Sequence, residues 1–269
     1  MRIALLLNQD VQSCLALNLL CPLLGQRLVG VFQSERVGGP AGGRARALGQ
    51  LGYVEQTLFN RLVFPLAEHR SLPEGALTGF DSFERRFGVP VWTLSSARSP
   101  AGLDALRGAN ADLFISIRFG HILGHEAIAI PPRGVLNLHS GLLPAYRGVL
   151  ATFRALLAGD TEVGCTLHWI DSPEIDQGGI IATARRPVDR SRSLLWHVLS
   201  LYPLGVRLVA DAVERLERGE TVAAEPQDPA AGRYHSYPTE DELLRFLAQG
   251  WRLFDPEDLE NLTSLFGVA

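Results

Sequence analysis

The chain has 269 residues, of which 46% are hydrophobic and 20% charged, and its formal net charge is −4. This length predicts one large domain, or one domain with a smaller appendage. The weak negative charge argues against a nucleic-acid partner, and no apolar run reaches the roughly 18 residues that a membrane span needs. All 25 basic residues are arginine, which excludes Schiff-base and phosphate-loop chemistry that depends on lysine.

The N-terminal apolar run is too short for a secretory signal, because Asn8 follows Leu7 directly. The three cysteines, Cys14, Cys21 and Cys165, form no Cys-x-x-Cys pair and are interpreted as buried, reduced thiols. We therefore expect a cytoplasmic protein.

Short apolar runs alternate with helical patterns along the first 220 residues. The predicted strands are Ile3–Leu7, Leu28–Phe32, Val89–Leu94, Leu113–Ile117, Gly134–His139, Cys165–Ile170 and Ile180–Thr183. The predicted helices are Val11–Leu24, a stretch over 44–88 broken by Pro65 and Pro73, one containing Leu103–Arg107, Leu150–Ala158 and Leu194–Arg218. This alternation predicts an α/β fold with a doubly wound, mostly parallel sheet and helices on both faces.

A glycine-rich loop follows the second predicted strand, with Gly38, Gly39, Gly42 and Gly43. A dinucleotide-binding fingerprint follows the first strand instead. The position favours a flexible connector, with phosphate binding as the alternative.

The pattern changes after Gly219. Residues 239–242 read Thr-Glu-Asp-Glu, a capping box that predicts a helix ending near Gly250. Asp255 followed by Pro256 predicts the start of a last helix. We predict a catalytic domain over 1–219 and a partly helical extension over 220–269.

Two segments carry chemistry-bearing side chains. Asn137 and His139 are two apart at the end of a predicted strand, so they point to the same face. That end of a parallel sheet is where ligands bind. Further on, Asp176 precedes Gly178 and Gly179, which allow the backbone to approach a ligand closely.

Together these segments resemble the folate-dependent formyltransferase family, which includes glycinamide ribonucleotide transformylase, methionyl-tRNA formyltransferase and the sugar N-formyltransferases. The resemblance rests on Asn-x-His with Leu-Leu-Pro-x-Tyr-Arg-Gly over residues 137–148, and on Asp-x-Gly-x-Ile-Ile over residues 176–181. A weaker similarity extends over about residues 1–220.

The resemblance implies the co-substrate 10-formyltetrahydrofolate and a catalytic trio of Asn137, His139 and Asp176. It also implies a pterin-binding segment on one side of the pocket and the turn 170–175, one residue longer than usual, on the other. The folate-binding residues implied are Arg118, Phe119, Gly120, His121, Ile122, Leu123, Ile170, Asp171 and Ile175.

The residue types suit formyl transfer independently. Attack of an amine on a formyl group passes through a tetrahedral oxyanion, to which Asn137 and a protonated His139 can donate hydrogen bonds. A carboxylate beside His139 favours its charged form. Asp176 can also accept the amine proton, directly or through water. No covalent enzyme intermediate is needed.

The acceptor is expected to be an amino sugar, a nucleotide-linked amino sugar or a similar small amine. The loop after the first strand lacks a glycine-rich phosphate cradle, and the tail shows no strand series for a tRNA-binding domain. The residues expected to face the amine are Asn8, Gln9, Asp10, Tyr146 and Arg147. Four tail aromatics are expected either to stack on the acceptor or to form core: Tyr234, Tyr237, Trp251 and Phe254.

Several alternatives stay open at this stage. A hydrolase could release formate from formyl-folate with the same trio, and a non-catalytic protein could use the fold for binding alone. His121 and His125, four apart, could form a metal pair, although we expect no metal. His168 is interpreted as structural. A homodimer is an expectation only.

Overall fold

The computed structural model describes residues 1–34, 46–69 and 75–268. The strands are β1 (Ile3–Asn8), β2 (Leu28–Ser34), β3 (Val91–Thr93), β4 (Leu113–Ile117), β5 (Val135–His139), β6 (Tyr146–Gly148), β7 (Glu162–Trp169), β8 (Ile180–Pro187) and β9 (Arg233–His235). The α-helices are α1 (Val11–Leu24), α2 (Arg46–Gly52), α3 (Phe64–Glu68), α4 (Phe80–Phe87), α5 (Pro100–Gly108), α6 (His125–Ile128), α7 (Ala151–Ala158), α8 (Leu194–Glu217), α9 (Glu240–Ala248) and α10 (Pro256–Leu265).

Seven strands form one sheet in the order β3-β2-β1-β4-β5-β7-β8. The first five are mutually parallel, and β7 and β8 are antiparallel additions. This confirms the predicted α/β fold with a mostly parallel sheet. Because parallel strands end at the same edge, β1, β4 and β5 deliver the loops that follow them to one place.

The central strand explains how the sheet is covered on both faces. All of β1 is buried, as expected for a parallel strand between helical layers. Its alternate residues Ile3, Leu5 and Leu7 pack with α1 and α8 on one face. Ala4 and Leu6 pack on the other face with the apolar side of α5. Among the described residues, no helix is long and apolar enough to cross a bilayer.

The region between β2 and α4 differs from its prediction. Helix α2 continues through a π-helix, Tyr53–Val63, into α3 without interruption. Pro65 lies in the first turn of α3, where a missing N–H costs little. It therefore marks a change of helix type, and the predicted break there is wrong. Pro73 and the loop with Gly38, Gly39, Gly42 and Gly43 lie outside the described residues.

The C-terminal extension packs against the sheet domain. Helix α9 begins with the predicted capping box, and α10 begins at Pro256 after Asp255, as predicted. Phe246 of α9 stacks on Phe153 of α7, with ring centroids 4.5 Å apart. Arg154 pairs with Glu242. The short strand β9, not expected from the sequence, pairs with β6. The division at residue 219 stays a prediction, since the apolar side chains of the tail join the main core.

Replacing Phe246 with alanine tests this packing. Its ring is fully buried, so Phe246→Ala is expected to lower the free energy of unfolding by about 3–5 kcal/mol. Leu244 lies on the same helix and is 56% exposed. Leu244→Ala is therefore the control and should change stability by about 0.5 kcal/mol or less. Equal effects of the two substitutions, measured by denaturant unfolding, would show that the tail does not pack as described.

Candidate active site

Strands β5 and β7 set three polar side chains next to one another. Asn137 and His139 lie two apart near the end of β5. In the antiparallel ladder Asn137 is opposite His168 of β7. Opposite residues of a ladder point to the same face, so the three side chains share one surface at the edge of the sheet.

Asp176 reaches this surface from the turn between β7 and β8. Its backbone is left-handed, with a φ of 56°, a conformation that is uncommon outside glycine. Gln227 holds that conformation, because its amide nitrogen donates to the carbonyl oxygens of Asp176 at 3.0 Å and Gly178 at 2.7 Å. A Cβ on Gly178 would lie 1.8 Å from the Trp169 carbonyl oxygen. The turn therefore requires glycine at that position.

The structure brings Asn137, His139 and Asp176 into direct contact. The Asn137 amide donates to Asp176 Oδ1 at 3.3 Å. The His139 Nδ1 atom lies 3.5 Å from Asp176 Oδ2, and the backbone N–H of Gly148 donates to the same oxygen at 2.8 Å. These contacts assemble residues from β5, β6 and the β7–β8 turn around one carboxylate.

His168 is a member of this cluster that the sequence interpretation missed. Its Nδ1 lies 2.8 Å from the carbonyl oxygen of Trp169, so Nδ1 must carry a proton and donate it. In the neutral ring Nε2 is then an acceptor, and Asn137 donates to it at 2.9 Å. His168 thereby fixes which way the Asn137 amide points. Alternation within a strand could not reveal this contact with a residue 31 positions away.

Both ring nitrogens of His139 face hydrogen-bond acceptors. Its Nε2 lies 2.7 Å from the carbonyl oxygen of Tyr146, which can only accept. Its Nδ1 faces a carboxylate oxygen of Asp176, which also accepts. A neutral imidazole has one N–H and would satisfy one of these partners, whereas the imidazolium donates to both.

The side chain of Asp176 is only 9% exposed. Burial acts to raise its pKa, but the neighbouring His139 and His168 and the Gly148 N–H outweigh burial and lower the pKa to about 2. The carboxylate is therefore charged at neutral pH, and His139 is the neighbour positioned to balance that charge.

These side chains line a cavity of about 600 Å³, within the usual size range of small-ligand pockets. One part of the wall comes from segment 118–123 and the turn 170–175, the two segments that the resemblance assigns to folate. Of the nine residues predicted to bind folate, Asp171 alone is absent from the wall, and its side chain is exposed. The residues present are Arg118, Phe119, Gly120, His121, Ile122, Leu123, Ile170 and Ile175.

The structure does not bring Asn8 and Asp10 to the cavity, where they were expected to face the amine. Both are fully buried. Asp10 caps α1 through Ser13 and accepts from Asn8 at 2.7 Å and from Arg118 Nε at 2.9 Å. The two residues therefore hold the start of α1, and a direct contact with substrate is not available to them in this arrangement.

The other residues expected near the amine make hydrogen bonds within the protein. Gln9 is partly buried, and its carbonyl accepts from Asn60 at 2.9 Å. The Tyr146 hydroxyl donates to Asp160 at 2.8 Å. Arg147 is buried and donates to the Gly232 carbonyl at 3.0 Å. These three contacts shape the loop beside the cavity, whose wall includes none of the three residues.

A second part of the cavity wall consists of residues from two other segments, together with two of the tail aromatics. Tyr234 and Tyr237 line the cavity, whereas Trp251 and Phe254 pack in the core. The remaining members come from the helical stretch after β2 and from the loop after β5. They are Leu48, Leu51, Gly52, Glu55, Gln56, Ser140, Gly148, Val149 and Leu150.

The histidine pair considered for metal binding does not share a helical turn. His121 lies in the loop before α6, and its Nε2 is 2.7 Å from the Leu94 carbonyl oxygen. His125 is the first residue of α6. Within the part of the chain that the structure describes, no group of three or more His, Cys, Asp or Glu side chains is placed to hold a metal ion.

Comparison with known proteins places the chain in a family. Residues 55–195, just over half of the chain, match the model of the formyl transferase family. Methionyl-tRNA formyltransferase from Roseiflexus sp. strain RS-1 is 32% identical over 157 residues, covering 58% of this chain and 48% of that enzyme. The chain thus spans about half the length of the curated relatives that it matches.

Two solved structures share the fold. An N-formyltransferase from Helicobacter canadensis, in complex with folinic acid and dTDP-3-aminofucose, is 17% identical with a TM-score of 0.57, over 90% of this chain and 72% of that one. Glycinamide ribonucleotide transformylase 1 from Symbiobacterium toebii is 22% identical with a TM-score of 0.55, over 85% and 94%. Because residues 55–195 match the family model, the chain belongs to the formyl transferase family.

Proposed function

We propose that this protein transfers the formyl group of 10-formyltetrahydrofolate to a primary amine of a small molecule. The observation that carries the proposal is the buried, charged Asp176 held among Asn137, His139 and His168 at the wall of the cavity. In the reaction the formyl carbon leaves the folate nitrogen and bonds to the amine nitrogen. The amine loses one proton, and the folate nitrogen gains one.

Asn137 and His139 are assigned to the developing oxyanion, for which each would exchange its longer contact, to Asp176 at 3.3 and 3.5 Å respectively. Such donors act best when they are fixed before the reaction, and the contacts with His168 and the Tyr146 carbonyl fix both side chains. Removal of one oxyanion donor lowers turnover by roughly 100- to 1,000-fold in other enzymes. A comparable share of the rate enhancement is expected from Asn137.

Asp176 is assigned an electrostatic role. With a pKa of about 2 it is a weak base, and an effective general base has a pKa near the working pH. The direct proton acceptance expected from the sequence is therefore disfavoured. Asp176 instead stabilises the positive charge on His139, and the amine proton passes to water in the cavity.

The wall formed by segment 118–123 and the turn 170–175 suits a flat, polar-edged ring such as a pterin. Ile122 lines the cavity and is 48% exposed, so it offers apolar surface that a bound ring can cover. Backbone groups of these irregular segments can pair with the ring edges.

We assign binding of the amine acceptor to the second part of the cavity wall, which includes Tyr234 and Tyr237. Tyr234, half exposed beside the trio, offers an aromatic face that can pack against a sugar or a base. The bound dTDP-3-aminofucose of the Helicobacter canadensis structure supports an amino sugar as acceptor. The names of the sequence relatives favour a second candidate, the amino group of methionyl-tRNA.

A panel assay separates these acceptors. The protein and 10-formyltetrahydrofolate would be incubated with dTDP-3-aminofucose, glycinamide ribonucleotide or methionyl-tRNA, followed by mass spectrometry of each acceptor. Formylation of a small amine supports the proposal, and formylation of the tRNA alone replaces it with the second candidate. Formate release without formylated product would identify a hydrolase.

The charge on Asp176 is tested by Asp176→Asn, which keeps the shape of the side chain. Because His139 loses the partner that stabilises its charge, we expect kcat to fall at least about a hundredfold, while affinity for a stable formyl-folate analogue changes little. Asp211→Asn, an exposed change on α8, is the control. Near-normal turnover by Asp176→Asn in steady-state kinetics would remove Asp176 from the mechanism.

The folate wall is tested by Ile122→Asp. Burying an isoleucine side chain contributes about 1.5–3 kcal/mol, so its replacement should weaken binding of 10-formyl-5,8-dideazafolate by about tenfold or more. Isothermal calorimetry measures this directly. Leu244→Asp, an exposed site on α9, should leave binding unchanged. Equal affinity of Ile122→Asp and the wild type would place the folate elsewhere.

A further inference from the structure

We propose that Glu55 selects the acceptor, by accepting a hydrogen bond from a hydroxyl group that the acceptor carries next to its reacting amine. This inference rests on the proposed function and concerns the same cavity. It names the chemical class of the acceptor as a hydroxylated amine.

Glu55 is placed where an acceptor could touch it. It lies in the first turn of the π-helix and lines the same cavity as Asn137, His139 and Asp176. Its side chain is 12% exposed, so the carboxylate is largely shielded from solvent and still open to the cavity. The same helical stretch also contributes Leu51 and Gln56 to the wall, so Glu55 is the carboxylate that this stretch presents to the cavity.

Two contacts fix the orientation of the Glu55 carboxylate. Gln12 of α1 donates to Oε1. Arg118 Nη2 lies 3.5 Å from Oε2, at the outer limit of hydrogen bonding. Arg118 is itself anchored to Asp10 at 2.9 Å. Buried partners on α1 and after β4 therefore hold the carboxylate, while the helix that carries it covers the cavity.

Glu55 keeps capacity for a ligand. A carboxylate offers about four acceptor sites, and the structure fills one with Gln12 and places Arg118 near another. Carboxylates bind sugar-type hydroxyl groups through such free lone pairs, and a hydrogen bond to a charged group contributes more than one between neutral groups.

The local backbone agrees with a functional role. Eleven consecutive residues, Tyr53–Val63, adopt π-helical geometry, which is rare and occurs frequently at functional sites. The wider turn changes the angular spacing of side chains relative to α2. Glu55 is thereby presented to the cavity from a segment whose conformation is costly to maintain.

Keeping a carboxylate at this position also has an electrostatic cost. Burial raises the pKa of Glu55 to about 7, and the nearby Arg118 offsets this only in part. The other titratable groups that face it are Asp10 of the β1–α1 turn and Tyr202 of α8. Because the folded-state pKa of Glu55 lies above its unfolded value, the free energy of unfolding falls as pH rises through 7. The charged carboxylate therefore costs stability, and a role in binding accounts for keeping it.

The test uses two amines of equal size, ethanolamine and propylamine, which differ by a hydroxyl in place of a methyl group. With saturating 10-formyltetrahydrofolate, kcat/KM is measured for each amine by mass-resolved product and expressed per unprotonated amine, because the hydroxyl group makes ethanolamine the less basic of the two. The wild type is expected to prefer ethanolamine about tenfold or more, the range of a charge-assisted hydrogen bond. Glu55→Gln should bring the two values close together, and Glu55→Asp should give an intermediate preference.

Glu68→Gln is the matched control. Glu68 lies on the same helical stretch and pairs with an arginine, Arg85, away from the cavity wall. It should keep the wild-type preference. In Glu55→Gln the anchor between Arg118 and Asp10 remains, so the fold is expected to be retained, as circular dichroism would show.

The pH dependence gives a second readout. In the ratio of the two kcat/KM values, the pH dependence of amine protonation cancels. For the wild type the ratio should fall as pH decreases through about 7, because a protonated Glu55 is a weaker acceptor. For Glu55→Gln the ratio should be flat.

The outcomes separate the two proposals. Formylation of both amines with the same preference in wild type and Glu55→Gln would overturn the role of Glu55 and leave the proposed function standing. Wild-type enzyme that formylates neither these amines nor any small amine of the panel would overturn both.

Discussion

The charge on one buried carboxylate organises this structure. A buried ion is tolerated only when it is paired and hydrogen-bonded, and Asp176 obtains its partners from four separate segments. Asn137 comes from β5, His168 from β7, the Gly148 N–H from β6, and Gln227 braces its backbone from the tail. These partners stabilise the charge of Asp176 only when the sheet places all of them correctly.

The tail takes part in this arrangement through strand pairing. β9 pairs with β6, and the Val149 N–H donates to the His235 carbonyl at 2.8 Å. Gly148 has a φ of 94°, and a Cβ there would lie 2.3 Å from the His235 carbonyl oxygen. Glycine is therefore needed for the close approach that aims this N–H at Asp176. Contacts of the extension thus reach the reaction centre although it contributes no member of the trio.

Much of the fold could be predicted from the sequence because buried parallel strands read as short apolar runs. β1, β4 and β5 were expected within a residue or two of their bounds, and two strong capping signals predicted α9 and α10. Strands β6 and β9 have three residues each and carry no apolar alternation. They exist because they pair with each other, which local patterns cannot show.

The candidate site, like the fold, could be predicted from the sequence only in part. Asn137, His139 and Asp176 were identifiable from spacing and resemblance, and the structure places them together. The burial of Asp10 was not foreseen, since it depends on Arg118, which is 108 residues away. The pairing of Glu55 with that arginine and the contact of His168 with Asp176 are likewise long-range. Local sequence shows which residue types are present, and the partners that set their roles come from the tertiary fold.

The central claim is that the Asp176 cluster surrounds the reacting formyl group. A crystal structure with 10-formyl-5,8-dideazafolate bound tests it directly. The account predicts the formyl oxygen within about 2.7–3.1 Å of the Asn137 amide nitrogen, the range for an oxyanion donor, with the folate ring against segment 118–123. A folate bound with its formyl group pointing away from Asn137 and His139 would contradict the account.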